Sequence, residues 1–186
     1  DLRRAIAEGT IAEELESMPA VPGDCHVLPS GLCHALGGGI LVLEVQTPSD
    51  TTFRLHDWGR SGRSLHIEPA IACLAGPDAP SDSPPVTRAT ATIHGPARIT
   101  ELAQTDAFTL QAISGGSGGR LDVSIPKMPC VLIGIAGATH LESGGGSTSL
   151  PAGGTLLLPA ACGPVHADLA AGSQMLRAVP AARSGG

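Results

Sequence analysis

Residues 29–60 read PSGLCHALGGGILVLEVQTPSDTTFRLHDWGR, and no other stretch limits the fold of this chain so tightly. Pro29, Ser30 and Gly31 set a tight turn that delivers His34, and Gly37, Gly38 and Gly39 make a corner. Residues 40–46 then read as a buried strand, because branched aliphatics suit a pleated surface packed against neighbours. Glu44 stands in that strand where a core wants an apolar side chain, and a buried carboxylate needs a partner. Downstream, Asp50, Thr51, Thr52, Arg54, His56, Asp57 and Arg60 place seven polar groups in eleven residues around Phe53, Leu55 and Trp58. That pattern predicts a bound polar ligand.

Composition narrows the fold class. With 25 Gly and 16 Pro the chain is punctuated too often for long helices, yet 42% hydrophobic residues set it apart from a disordered segment. There is no Tyr, with two Phe and one Trp, so the core is aliphatic and a base-stacking platform for nucleic acid is excluded. A formal net charge of -6 excludes a phosphate-backbone binder in the same way, and any phosphate bound here is small and met by one or two cations. Five cysteines, odd in number and without a C-x-x-C pair, indicate reduced thiols rather than a disulfide framework or a zinc ribbon. The first residues, DLRRAIAEGTIAEELE, are charged and amphipathic, and no run approaches the roughly 20 apolar residues of a membrane span. The expectation is a soluble cytoplasmic protein with no nucleic-acid or membrane partner.

Taken in order, the chain divides into four parts. Residues 1–20 carry helical spacing (Leu2, Ile6, Ile11, Leu15), broken at Gly9-Thr10, and predict two short helices. Residues 21–75 hold a short strand at 25–28, the stretch described above, and a strand entering a short helix at 65–71, with Glu68 at the surface. Residues 76–85, GPDAPSDSPP, read as a proline-rich linker. Residues 86–186 contain short apolar runs at 90–93, 97–102, 108–113, 121–125, 130–135, 139–141, 155–158 and 175–179, separated by glycine-rich turns at the spacing of a sandwich or jelly roll. The SGGGS loop at 143–147 is followed by neither a helix nor a lysine, which excludes a P-loop. His26 lies in the short strand and faces either in or out; His66, His94, His140 and His166 sit near turns with no partner at ligand spacing, and His56 lies close enough to Arg54 to line a cavity.

The run from Gly23 to Arg60, followed by LHIEPAI at 65–71, resembles the type I mannose-6-phosphate isomerases, zinc-dependent enzymes of the cupin superfamily. The resemblance implies an all-β fold: 21–75 is the carboxy-terminal, closing part of a metal-bearing catalytic barrel, and 86–186 is a second, smaller, metal-free cupin-like roll. It implies one Zn2+ per catalytic barrel with His34 as a ligand, Arg54 as the catalytic arginine, and Glu44, Asp50 and Arg60 lining the substrate cavity, Arg60 toward the phosphate. The family's amino-terminal half, with its Gln-x-His pair and Glu ligand, has no counterpart here, so the start at Asp1 is expected to be a truncation. The implied reaction interconverts mannose 6-phosphate and fructose 6-phosphate by proton transfer between C1 and C2 through an enediol, in an enzyme that is a monomer when intact. The alternative is an inactive fragment or a non-catalytic cupin binding module, since a catalytic zinc site takes three protein ligands and this sequence offers one convincing one. On this reading His34, Glu44 and Arg54 share one concave wall of neighbouring strands. The purely structural alternatives are a satisfied histidine at 34, a Glu44 carboxylate held by backbone amides, a turn-capping Asp50, an Arg54 paired with Asp50 or Asp57, and a solvated Arg60.

Overall fold

The computed structural model describes residues 2–49, 51–60, 62–74, 86–87 and 92–182. The chain forms two compact units, Asp1–Val86 and Thr87–Gly186. Residues 76–85, expected to be a linker, lie outside the described residues. Among the described residues no helix is long and apolar enough to cross a membrane.

The first unit begins with α1 (Leu2–Glu8) and a 3-10 turn (Ile11–Glu14), as the helical spacing anticipates. The break falls at Gly9, whose φ of 75° closes the helix; the Thr10 amide then donates to the Ala5 carbonyl at 2.8 Å. α2 (Ile67–Cys73) carries Pro69 in its first turn, where a missing N–H costs nothing. Residues 65–66, expected to extend as a strand into it, do not form one. Ala5, Ile6, Ile11, Leu55 and Ala70 make a small core, with Cys33, Ile67 and Ile71 against it, and the Arg3 guanidinium donates to Glu68 at its edge. β1 (Cys25–His26) is short, and β2 (Val86–Thr87) spans the boundary of the units. From residue 27 to 66 the described residues adopt neither helix nor strand.

This corrects the reading of residues 40–46 as a buried strand. Ile40, Leu41, Val42 and Leu43 are exposed, Leu41 at 99%, and so is Glu44. A strand is held by ladder hydrogen bonds and by a face to bury, and no described residue of the unit pairs with this segment. Aliphatic content by itself does not make a strand.

The second unit satisfies that condition. A six-stranded antiparallel sheet holds β3 (Thr92–His94), β4 (Ala97–Gln104), β5 (Phe108–Gly115), β7 (Cys130–Ala136), β10 (Thr155–Leu158) and β12 (Gln174–Pro180), in the order β10-β7-β12-β5-β4-β3. A four-stranded sheet holds β6 (Gly119–Asp122), β8 (Ala138–Ser143), β9 (Gly146–Pro151) and β11 (Val165–Leu169), in the order β6-β11-β8-β9. Non-sequential neighbours such as β7 beside β12 and β6 beside β11 make this the expected jelly-roll of the cupin type. Alternate residues of the strands meet in one core: Ile113, Val123, Cys130, Leu132, Leu141 and Met175 are each under 2 to 3% exposed. One residue extends the β7–β10 ladder past its last strand pair. The Gly134 amide donates to the Gly154 carbonyl at 2.9 Å, and a Cβ on Gly134 would lie 2.1 Å from the Pro151 carbonyl oxygen, so β7 tolerates only glycine there.

Inside this core Arg177 is 8% exposed and donates to Gln111 Oε1 through Nε (3.0 Å) and Nη2 (2.7 Å) and to the Val123 carbonyl through Nη1 (3.2 Å). Burial pushes its guanidinium below the usual arginine range and the Cys130 thiol above the usual thiol range.

The contrast between the units yields a prediction from one substitution made twice. Leu132→Ala, at a fully buried position, lowers the unfolding free energy by about 2–5 kcal/mol. Leu41→Ala changes it by less than about 0.5 kcal/mol, because no core loses a contact. Denaturant titration of both variants checks this, and equal losses would mean that residues 40–46 are packed.

Candidate active site

The turn that the sequence anticipates at residues 29–31 is present: the Leu32 amide donates to the Pro29 carbonyl at 3.2 Å and Gly31 has φ 85°. It presents His34 exposed, with ring Nδ1 2.9 Å from the Leu32 carbonyl oxygen. The carbonyl can only accept, so Nδ1 donates, and Nε2 is the ring nitrogen left outside this contact, the arrangement of a metal-ligating histidine oriented by a backbone group. His34 is one donor. Among the described residues no three His, Cys, Asp or Glu side chains gather as a metal set, so the described part of this chain does not fit a catalytic zinc by itself.

Around Arg54 the segment is built more closely. Leu55 plugs into the small core, which fixes the backbone on either side. The Arg54 amide donates to His66 Nδ1 at 3.4 Å, its carbonyl accepts from the His66 amide at 2.8 Å, and Arg54 Nη1 donates to the Ser64 carbonyl at 3.4 Å. Phe53 meets the His66 ring edge-on at 6.1 Å between centroids. Next comes a sharp reversal with two residues in the left-handed region, Trp58 (φ 48°) and Gly59 (φ 69°), closed by the Arg60 amide donating to the Asp57 carbonyl at 3.0 Å. A non-glycine residue held there is strained and persists because its surroundings over-determine it. Trp58 stacks edge-on with His56 at 4.9 Å, and the Arg60 guanidinium lies 5.9 Å from its ring centroid.

The reversal folds three guanidiniums onto one carboxylate. Asp57 Oδ1 lies 3.6 Å from Arg54 Nε, 3.7 Å from Arg60 Nε and 3.9 Å from Arg63 Nη1. The Asp57 side chain is 7% exposed, whereas those of Arg60 and Arg63 are 59% and 53% exposed. A surplus of two positive charges therefore faces water beside an exposed tryptophan.

Of the residues expected at the site, Arg54 and Arg60 come together on Asp57. His34 and Glu44 make no hydrogen bond or ion pair with either arginine, and with residues 40–46 not a strand, the three-residue concave wall does not form here. Asp50 lies outside the described residues. Sequence reasoning considered Asp57 only as an ion-pair partner and missed Arg63 and His66; the i, i+3 spacing on either side of Asp57 was a signal for Arg54 and Arg60, and nothing in the spacing points to Arg63.

Known proteins point one way. The chain is 43% identical over 79 residues to the mannose-6-phosphate isomerase of Streptococcus mutans, covering 40% of this chain and 25% of that protein. It is 31% identical over 169 residues to the probable mannose-6-phosphate isomerase GmuF of Bacillus subtilis, covering 86% of this chain and 50% of that protein. The crystal structure of a mannose 6-phosphate isomerase from Bacillus subtilis superposes with a TM-score of 0.56 at 16% identity, covering 70% of this chain and 40% of that one, which shows the shared fold. The chain thus spans a quarter to a half of the length of these relatives. No protein-family profile matches it.

Proposed function

As a relative of the mannose-6-phosphate isomerases, the chain belongs, we propose, to an aldose–ketose isomerase that interconverts mannose 6-phosphate and fructose 6-phosphate. The observation that carries this reading is the arginine cluster, three guanidiniums around one buried carboxylate. Proton transfer between C1 and C2 of an open-chain sugar passes through an enediol whose oxygens gain negative charge, so a fixed cation must stand where that charge develops. Arg54, held by His66, Ser64 and Asp57, is that cation; its planar fork matches two oxygens at once. Arg60, more exposed and beside Trp58, meets the phosphate dianion. Glu44 and Asp50 are the further substrate carboxylates that the resemblance implies, and His34 is the residue that would hold a zinc ion through Nε2, where the ion would act as a Lewis acid on the sugar oxygens.

The donor count favours a second reading of the chain as it stands: a non-catalytic module that binds the sugar phosphate without converting it. Turnover separates the two. Assayed alone with added zinc, the chain shows no conversion of mannose 6-phosphate and retains zinc far below one equivalent; fused behind the amino-terminal half of its Bacillus subtilis relative, it converts. No conversion by the fusion would overturn the isomerase reading, and conversion by the chain alone would mean that its own residues complete the metal set.

Two substitutions in the converting form divide the roles. Arg54→Lys keeps the charge, loses the fork and lowers kcat by about 100-fold with metal content unchanged, whereas His34→Ala lowers zinc occupancy. Normal turnover in the first, or full zinc retention in the second by metal analysis, removes that residue from its role.

A further inference from the structure

Within the cluster, Asp57 is the only acidic partner among the described ion pairs of Arg54, Arg60 and Arg63, and all three reach the same oxygen, Oδ1. The other oxygen, Oδ2, is buried and has no hydrogen-bond partner among the described residues. A buried carboxylate with an unused oxygen costs free energy, and such a group persists where it does something besides stabilise the fold. A pair formed for stability alone would bring one guanidinium in as a fork across both oxygens at hydrogen-bond distance. Here three approach a single oxygen at 3.6–3.9 Å, outside hydrogen-bond distance, so each keeps N–H groups for another acceptor.

The surroundings of Asp57 are fixed from both sides. Leu55 is buried in the small core two residues before it, and the reversal at Trp58 and Gly59 is closed on its own carbonyl, which accepts from the Arg60 amide at 3.0 Å and from Arg60 Nε at 3.3 Å. The backbone thus sets where the carboxylate stands, and the carboxylate sets where the long arginine side chains end. Left free, each of those side chains gives up rotamer entropy when a ligand orders it.

We infer that Asp57 is a positioning residue: it gathers Arg54, Arg60 and Arg63 before substrate arrives, so that they present a preformed, doubly positive cradle to a phosphate dianion. Arg63 becomes a third ligand-facing cation of the same cradle. This rests on the assignment of Arg54 and Arg60 to the sugar phosphate. Positioning and charge make opposite predictions about Asp57. On charge alone, removing an anion from the cluster tightens phosphate binding. On positioning, it loosens binding, because the arginines must then be ordered by the ligand.

The experiment uses the whole 186-residue chain, labelled with ¹⁵N and titrated with inorganic phosphate and with mannose 6-phosphate, as wild type, Asp57→Asn and Asp57→Glu. In the wild type the Nε–H protons of Arg54 and Arg60 exchange about tenfold or more slowly than that of exposed Arg98. In Asp57→Asn that of Arg54 exchanges at the Arg98 rate, that of Arg60 stays slow through its bond to the residue-57 carbonyl, and the phosphate Kd rises about fivefold or more, while Asp57→Glu restores the Arg54 rate and the affinity in part. Unchanged or tighter phosphate binding by Asp57→Asn overturns the inference, and so does wild-type exchange as fast as Arg98. Should Asp57→Asn not fold, the wild-type exchange rates and the Asp57→Glu titration decide. Loss of protection in Asp57→Asn from a wild type that binds neither ligand would uphold the positioning role and sink the sugar-phosphate assignment.

Discussion

Strands exist where their backbone groups find partners, and this one constraint separates the two units. In the second unit ten strands pair into two sheets whose inner faces close on Ile113, Leu132, Leu141 and Met175, so each apolar run has both a ladder and a core. In the first unit residues 40–46 are at least as aliphatic, yet they stand exposed because no described residue pairs with them. What the first unit holds without a sheet is two short helices, the small core that joins Ala5 and Ile11 to Leu55 and Ala70, and the reversal at Trp58 and Gly59.

That reversal is where chemistry accumulates. Leu55 anchors one side, His66 and Ser64 tie Arg54, and the Asp57 carbonyl closes the turn, so a cluster of cations forms without any sheet beneath it. The residues meant to face it from residues 29–46 depend on strand pairing and do not reach it here: Glu44 is exposed, and His34 is oriented only by its neighbour Leu32. Under the proposed function the arginine side of the site is preformed, while the histidine and carboxylate side waits for partner strands.

Legibility in the sequence followed the same division. Runs with period-2 alternation and glycine turns, such as 108–113, 130–135 and 155–158, became β5, β7 and β10 with ends shifted by two residues at most. β9 escaped notice because GSTSLP has no apolar alternation and is held by pairing with β8 alone. β11 was hidden between the turns flanking VHADL, although Val165, Ala167 and Leu169 alternate inward. The all-β fold and the resemblance were legible because they rest on local pattern and on matched residues. The convergence of Arg54, Arg60 and Arg63 was not, because it depends on a positive φ at Trp58 that no residue type announces.

The central claim is that residues 40–46 have no strand partner among the described residues, whereas equally apolar segments of the second unit have such partners. Amide hydrogen exchange on the intact chain tests it most directly. Residues 41–45 should exchange at nearly the rate of an unstructured peptide while Cys130–Ala136 resists exchange by several orders of magnitude. Equal protection of the two segments would contradict the account.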